Sequence, residues 1–303
     1  MSQKGKSATK RHKQTEPGEI NEGQNPAKIC RPSIENILHV SLTSSHGDCA
    51  ASGNIAEQFL ALEKKLVHQL KALHFSEPVT HIYNPVEYAA EPHKAYVHRY
   101  CRSTKAVLFL GMNPGPYGMA QTGVPFGEVT MVKQWLQISG HVDKPENEHP
   151  KRPISGFDCQ RKEVSGDRFW SLFRKLCGTA DVFFRQCFVH NLCPLIFLNK
   201  TGRNLTPPEL CAAERNAANK ICERALCDIV RLLRVKTIIG VGKFAQKRAQ
   251  VALKDGGIEG VAVEAILHPS PASPAANKGW LEVADRQLTD LGIMPYLSDQ
   301  TTV

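Results

Sequence analysis

Four short apolar runs rich in β-branched or aromatic residues, at 106–110, 182–189, 235–239 and 261–267, alternate with segments of helical periodicity. This alternation is the feature that most restricts the fold. Short apolar runs separated by helices read as buried parallel strands covered by helices on both faces. The helix-like segments lie at about 128–138, 166–177, 207–233, 243–253 and 277–292. A further one precedes the first strand, where Ile55, Phe59, Leu62, Leu66, Leu70 and Leu73 recur at helical spacing. The segment at 207–233 carries a start signal: Thr206 as cap, Pro207 in the first position and Glu209 completing a capping box. The expectation is one α/β domain over residues 52–295, built on a central, mostly parallel four-stranded sheet. Residues 1–51 are polar, proline-dotted and without periodicity, so a disordered tail is expected there, with a short C-terminal tail at 296–303.

In open α/β sheets, ligands bind outside the carboxyl ends of the strands. The residues after each run are therefore informative. They are Gly111-Met112-Asn113-Pro114-Gly115-Pro116-Tyr117-Gly118, then His190-Asn191-Leu192-Cys193-Pro194, Gly240-Val241-Gly242-Lys243, and His268-Pro269-Ser270-Pro271. All four exits carry turn formers, and three also carry Asn or His. Taken singly, Asn113 and Asn191 read equally as turn builders, His268 as a structural residue and Gly-Val-Gly as a weak phosphate loop. Parallel strands would bring them into one crevice, and that convergence points to a site.

Composition narrows the partner. The formal net charge is +9, which favours a polyanion because lysine and arginine release counterions from phosphates. Lys4, Lys6, Lys10, Arg11 and Lys13 form a basic cluster, readable as a nuclear address, a DNA tether or a solvated tail. Ten cysteines include no Cys-x-x-Cys, so buried free thiols are expected and neither a metal nor a cofactor. No apolar run approaches the ~20 residues of a membrane span. A monomer in the nucleus, with no membrane contact, is expected.

The stretch from Gly111 through Phe126 to Gly127 resembles the first motif of the single-strand-selective monofunctional uracil-DNA glycosylases. His268-Pro269-Ser270-Pro271 resembles the second motif of the wider superfamily. Val189 to Pro194 and Gly202-Arg203-Asn204-Leu205-Thr206 are similar to the same family, and the resemblance spans roughly residues 85–295. It implies that Asn113 orients the attacking water and His268 hydrogen-bonds uracil O2. It also implies that Phe126 stacks on the flipped base, Asn191 reads its Watson–Crick edge and the Met112 main chain closes the pocket. The segment from Gly202 to Thr206 and the loop after His268 resemble DNA-gripping parts.

The chemistry agrees with these roles. A stacked base must be extruded, at a cost of a few kcal/mol. An aromatic face recovers ~1–3 kcal/mol of it. Asn191 can discriminate uracil from cytosine only if neighbours lock its amide. Negative charge on the departing base calls for a preorganised donor. No lysine stands in the motifs as a Schiff-base nucleophile, so strand cleavage is not expected. Gly115 stands where thymine-excluding relatives carry tyrosine, which leaves room beside uracil C5 for oxidised 5-substituents. The helix start at Pro207, with Arg203, Lys243, Lys278 and Ser270, supplies candidate phosphate contacts. Ala272 replaces the long side chain expected after His-Pro-Ser-Pro, so a weaker wedge is expected. A catalytically inert nucleic-acid binder on the same fold is the competing reading, and a hydrolase of free nucleosides a third.

Overall fold

The computed structural model describes residues 54–299. The expected tail at 1–51 lies outside the described residues, as does the basic cluster within it.

The chain begins with α1 (Ile55–Lys71), β1 (His81–Tyr83), α2 (Pro85–Tyr88), α3 (Ala90–Tyr100) and β2 (Val107–Gly111). There follow α4 (Met119–Thr122), α5 (Val129–Gln134), α6 (Val164–Cys177), α7 (Ala180–Gln186) and β3 (Cys187–Asn191). The remainder is β4 (Ile196–Leu198), β5 (Asn204–Leu205), α8 (Ala212–Leu233), β6 (Thr237–Val241), α9 (Lys243–Asp255), β7 (Ala262–Ile266), α10 (Pro274–Asn277) and α11 (Trp280–Asp290). The main sheet has the order β3-β2-β6-β7 with every pair parallel. Its inner strands β2 and β6 and the edge strand β3 are almost wholly buried, whereas the other edge strand, β7, alternates exposed and half-buried residues before the buried Ile266. That burial on both faces is the reason the run at 106–110 reads as continuously apolar.

Local chemistry sets the helix boundaries. The Asn54 side chain accepts from the Ala56 N–H at 3.0 Å, which starts α1. Its apolar stripe buries Phe59, Leu66 and Leu70, and it packs against α8. Glu63 on the same stripe is also buried, with Oε2 2.7 Å from His93 Nε2. The other ring nitrogen of His93 lies 2.8 Å from the Gly123 carbonyl. Opposite these helices, α6 and α7 bury Phe169, Trp170, Phe173 and Phe183 against Phe109 of β2.

Several boundaries differ from the periodicity reading. The run at 182–189 is helical in its first half, because the Thr179 hydroxyl caps the Val182 N–H and the helix buries Phe183 and Phe184. Only residues from Cys187 onward extend into the strand. The segment at 207–233 is not one helix: Pro207–Glu209 is a 3-10 turn and α8 starts at Ala212. The Glu209 carboxylate does accept from the Thr206 N–H and hydroxyl, at 2.7 and 3.0 Å, but this box closes the short turn. Helix α5 covers only half of 128–138. Gly279, at φ 121°, separates α10 from α11 at the start of the segment read as 277–292. A second sheet, β1-β4-β5, is antiparallel and built from strands of two or three residues, too short to show any period. Residues expected to begin a C-terminal tail are packed instead, with Leu297 1% exposed after a 3-10 turn at Met294–Tyr296.

Among the described residues the eight cysteines are free thiols, and no cluster of His, Cys, Asp and Glu could hold a metal. No helix there is long and apolar enough to cross a membrane.

Phe173 is fully buried between Phe109, Phe169 and Phe183, at ring separations of 4.9, 4.9 and 4.6 Å. Phe173→Ala is expected to lower unfolding stability by ~3–5 kcal/mol, read as a shift in the urea midpoint with an unchanged slope.

Candidate active site

The parallel register brings the strand exits together. Gly111 of β2 is the partner of Asn191 of β3, and pairing continues past the strand ends. The Leu192 N–H donates to the Gly111 carbonyl at 2.9 Å and the Cys193 N–H to the Met112 carbonyl at 3.0 Å. On the other side, Val241 of β6 is level with Ile266 of β7, two residues before His268. A cavity of about 500 Å³ opens at this edge. Asn113, Asn191, His268, Phe126 and Gly115 all line it, with Glu163 closing one side.

Gly111 is required by close approach. A Cβ there would stand 2.1 Å from Asn191 Oδ1 and 3.2 Å from Phe126 Cε2. The Asn191 side chain therefore occupies space that any other residue at 111 would fill. Its Oδ1 rests against the Gly111 backbone, and its Nδ2 donates to Met119 Sδ at 3.2 Å. Asn191 is 4% exposed. Buried between two such neighbours, the amide has one orientation, with Oδ1 an acceptor and one Nδ2 hydrogen uncommitted.

Phe126 adopts φ 52°, a left-handed conformation unusual for an aromatic residue. Its carbonyl accepts the Glu128 N–H at 2.8 Å, and the ring stacks on Phe169 at 4.4 Å and 12°. The buried Thr122 hydroxyl, donating to Gly118 or Gly127 carbonyls at 3.3 and 3.1 Å, ties the loop behind it. Surrounding bonds thus hold a strained residue whose outer ring face meets the cavity, 6.4 Å from the His268 ring.

Asn113 Nδ2 donates to the Leu195 carbonyl at 3.3 Å. That bond assigns the amide, leaving Oδ1 as an acceptor toward the cavity. At His268, the Ser270 N–H donates to Nδ1 at 3.1 Å. A nitrogen that accepts cannot carry the proton, so the neutral ring bears it on Nε2. Burial lowers the His268 pKa from its ordinary 6.5, which keeps the ring neutral at neutral pH.

Arg168, whose part was not legible from sequence, braces the loop after His268. Its guanidinium donates to the Pro269 carbonyl at 3.0 Å and to Asn277 Oδ1 at 2.9 Å. Asn277 Nδ2 in turn donates to the Pro271 carbonyl at 2.8 Å, and the Ala272 N–H to the Ser270 hydroxyl at 3.1 Å. Pro271, Ala272 and Lys278 are exposed on this braced loop.

The other expected DNA contacts are distributed unevenly. Asn204 and Thr206 line the cavity, as do Lys243 and Ser270, while Lys243 Nζ donates to Gln246 at 3.2 Å. Gly202 is buried at φ 77°, packed on His149 and Lys151, so it shapes the turn and touches nothing outside. Arg203 is ion-paired with Glu209. The long helix dipole expected at Pro207 is missing there, since α8 starts five residues later.

Glu163 is the polar wall residue that periodicity could not single out. It caps α6 through the Gly166 N–H, and burial raises its carboxyl pKa. A Cβ on Gly115 would stand 3.5 Å from Glu163 Oε1, an ordinary contact. Gly115 is not among the positive-φ residues, so the turn itself does not demand glycine.

Known proteins match this arrangement. Residues 98–288 match the uracil DNA glycosylase superfamily. The chain is 57% identical over 255 residues to a rat protein named single-strand selective monofunctional uracil-DNA glycosylase, covering 84% of this chain and 91% of that one. A bovine protein of the same name is 56% identical, covering 81% and 90%, and a mouse one 57%, covering 82% and 88%. A solved structure of wild-type SMUG2 from Pedobacter heparinus has the same fold, at a TM-score of 0.59 and 19% identity, covering 80% of this chain and 98% of that one. The chain belongs to the uracil-DNA glycosylase superfamily, within its single-strand-selective monofunctional family.

His268 provides a test that needs no substrate. Its folded pKa lies below 6.5, so the unfolded chain binds the extra proton. The resulting stability is present above pH 6.5 and is lost as pH falls toward the folded value. Nitrogen NMR of the imidazole is expected to show the Nε2–H tautomer at pH 7 and a midpoint below 6.5. An Nδ1–H tautomer, or a midpoint at or above 6.5, would refute the assignment.

Proposed function

We propose that this uracil-DNA glycosylase extrudes uracil and 5-substituted oxidised uracils into the cavity and hydrolyses the N-glycosidic bond with a water held by Asn113. Expected 5-substituted substrates are 5-hydroxymethyluracil, 5-formyluracil and 5-hydroxyuracil, in single- or double-stranded DNA, and the product is an abasic site. The observation carrying this reading is the single cavity onto which two orientation-locked amides and a neutral imidazole open.

The steps follow from the atoms. The extruded base stacks on Phe126, recovering ~1–3 kcal/mol of the unstacking cost. Asn191 accepts from uracil N3–H with Oδ1 and donates to O4 with its uncommitted Nδ2 hydrogen. Cytosine presents the opposite pattern, and an amide wedged against Gly111 and Met119 cannot rotate to suit it. As the glycosidic bond breaks, the electron pair moves into the base and His268 Nε2–H donates to O2, where negative charge collects. The sugar becomes electrophilic at C1′, and a water hydrogen-bonded to Asn113 Oδ1 attacks it, forming the C1′ hydroxyl as its proton passes through solvent to the departing uracil anion. Water needs positioning more than deprotonation here, which suits an amide.

Gly115 leaves the space beside uracil C5 open as far as Glu163. That room supports acceptance of 5-substituents. The exposed Lys278, the cavity-lining Lys243, Ser270, Asn204 and Thr206, and the braced Pro271–Ala272 tip are the proposed DNA contacts. Arg203 joins them only by leaving Glu209. The basic cluster from Lys4 to Lys13 supports a nuclear location for a monomeric enzyme.

Asn113→Ala and His268→Leu are each expected to retain oligonucleotide binding and to lower single-turnover base release by ~10²–10³-fold. Near-normal release in both would mean other groups do the chemistry. Binding without any release by the wild-type protein would favour the inert binder. Gly115→Tyr is expected to keep uracil release and lose that of 5-hydroxymethyluracil; a panel showing equal loss on both would defeat the C5-side placement.

A further inference from the structure

We infer that Tyr117, Arg152 and Arg161 form a landing surface for a single strand of DNA at the cavity mouth, with a base stacked on this aromatic–guanidinium ridge and its phosphate held by the two guanidiniums. The inference rests on the proposed function only in taking DNA as the polymer.

Pro116 and Gly118 line the cavity, so the half-buried Tyr117 between them sits at its rim. Two cations converge on that one ring. The Arg161 guanidinium carbon is 4.4 Å from the ring centroid and that of Arg152 is 5.5 Å. Ring quadrupole attraction holds a cation there, and the exposed Arg161 guanidinium keeps its outer face and N–H edge available, whereas the half-buried Arg152 has its Nε buried.

Two nearby cations are neutralised and these two are not. Lys162 pairs with Asp167 at 2.9 Å, and Arg203 pairs with Glu209. Among the described residues neither Arg152 nor Arg161 has a carboxylate within ion-pair distance. The Arg152 guanidinium donates to the adjacent Lys151 carbonyl, at 2.8 Å. Two unneutralised cations on one ring raise the local positive potential, and a phosphate at this rim lowers that cost.

The ridge is also rigid. Gln121, 1% exposed, donates from Nε2 to the Pro116 and Pro153 carbonyls at 3.1 and 3.2 Å. Its Oε1 accepts from the Ser155 and Gly156 N–H groups at 2.9 and 3.1 Å. One buried amide thus staples the 115–118 turn to the segment carrying Arg152, and little ordering entropy remains to be lost on binding.

A single strand is the occupant that this chemistry fits. Base stacking on an aromatic or guanidinium face tolerates any sequence, and it requires a neighbour base free of a partner strand. The exposed tip at Pro271 and Ala272 offers only a small side chain to fill a gap in a duplex. A single strand has no such gap.

The test measures anisotropy of an undamaged, fluorescent single-stranded oligonucleotide against salt, so no base release is involved. Arg161 is exposed and Arg161→Ala leaves the fold's hydrogen bonds intact. It is expected to reduce the slope of log affinity against log salt by ~0.7, the loss of one phosphate contact on a single strand. Tyr117→Ala is expected to weaken binding about tenfold while Tyr117→Phe restores it. Lys254→Ala removes the same charge near the far end of α9, roughly 16 Å along the helix from Lys243, and is expected to change neither. An unchanged slope in Arg161→Ala, or an equal change in Lys254→Ala, overturns the inference. If wild-type protein binds in this pattern yet releases no base, the proposed reaction fails and the surface stands; release without the pattern sinks the surface alone.

Discussion

The absence of a side chain at Gly111 is the constraint on which the rest of the site depends. Parallel pairing puts this residue level with Asn191, and the Asn191 oxygen fills the volume a Cβ would take. The Phe126 ring closes on the same spot from the next loop. One methyl group at this position would push apart the Asn191 amide and the Phe126 ring. The strand exits carry glycine, asparagine and proline because three chain segments must meet at van der Waals distance, where ordinary side chains do not fit.

Orientation is the second theme. Asparagine and histidine are ambiguous groups: an amide can turn over and an imidazole can carry its proton on either nitrogen. Here each ambiguity is removed by a fixed partner. The Leu195 carbonyl assigns Asn113, the Met119 thioether and the Gly111 backbone assign Asn191, and the Ser270 N–H assigns His268. These partners come from the loops that hold the functional groups, so the bonds that form the turns also set the polarity of the cavity. Preorganised dipoles cost no rearrangement as charge develops, and a half-buried neutral histidine supplies such a dipole without a net charge. The network behind the site extends this logic. His93, held by Glu63 at its other ring nitrogen, grips the Gly123 carbonyl at the end of α4, whose first residue is Met119.

The cavity has two kinds of rim. One is the loop after His268, an exposed run of small side chains braced by Arg168 and Asn277. The other is the 115–118 turn, stapled by Gln121 and topped by an aromatic ring between two arginines. Both are rigid at their bases, and they present different chemistry outward: small apolar groups on one side, cations and a ring on the other.

By itself, the sequence determined the parallel sheet and the strand exits as the place to look for a site; Asn113, Phe126, Asn191 and His268 were singled out by resemblance to the family, and the structure places all four around one cavity. The reason is that buried strands need continuous apolar runs and sharp exits need Gly, Pro and Asn, and both leave local marks. It also showed the cap at Thr206 and Glu209, though not that a 3-10 turn, rather than the long helix, would follow it. Only the tertiary structure decided the rest. Residues 182–186 became helix because Phe183 and Phe184 reach the core that way, a choice no eight-residue apolar run reveals. Strands of two or three residues, the burial of Gly202 and the pairing of Arg203 depend on partners distant in the chain. The roles open to Glu163, Arg168 and Gln121 follow from where their side chains end, across loops the sequence does not show as neighbours. Periodicity records which face of an element is buried; it carries no record of which polar atoms meet when the elements pack.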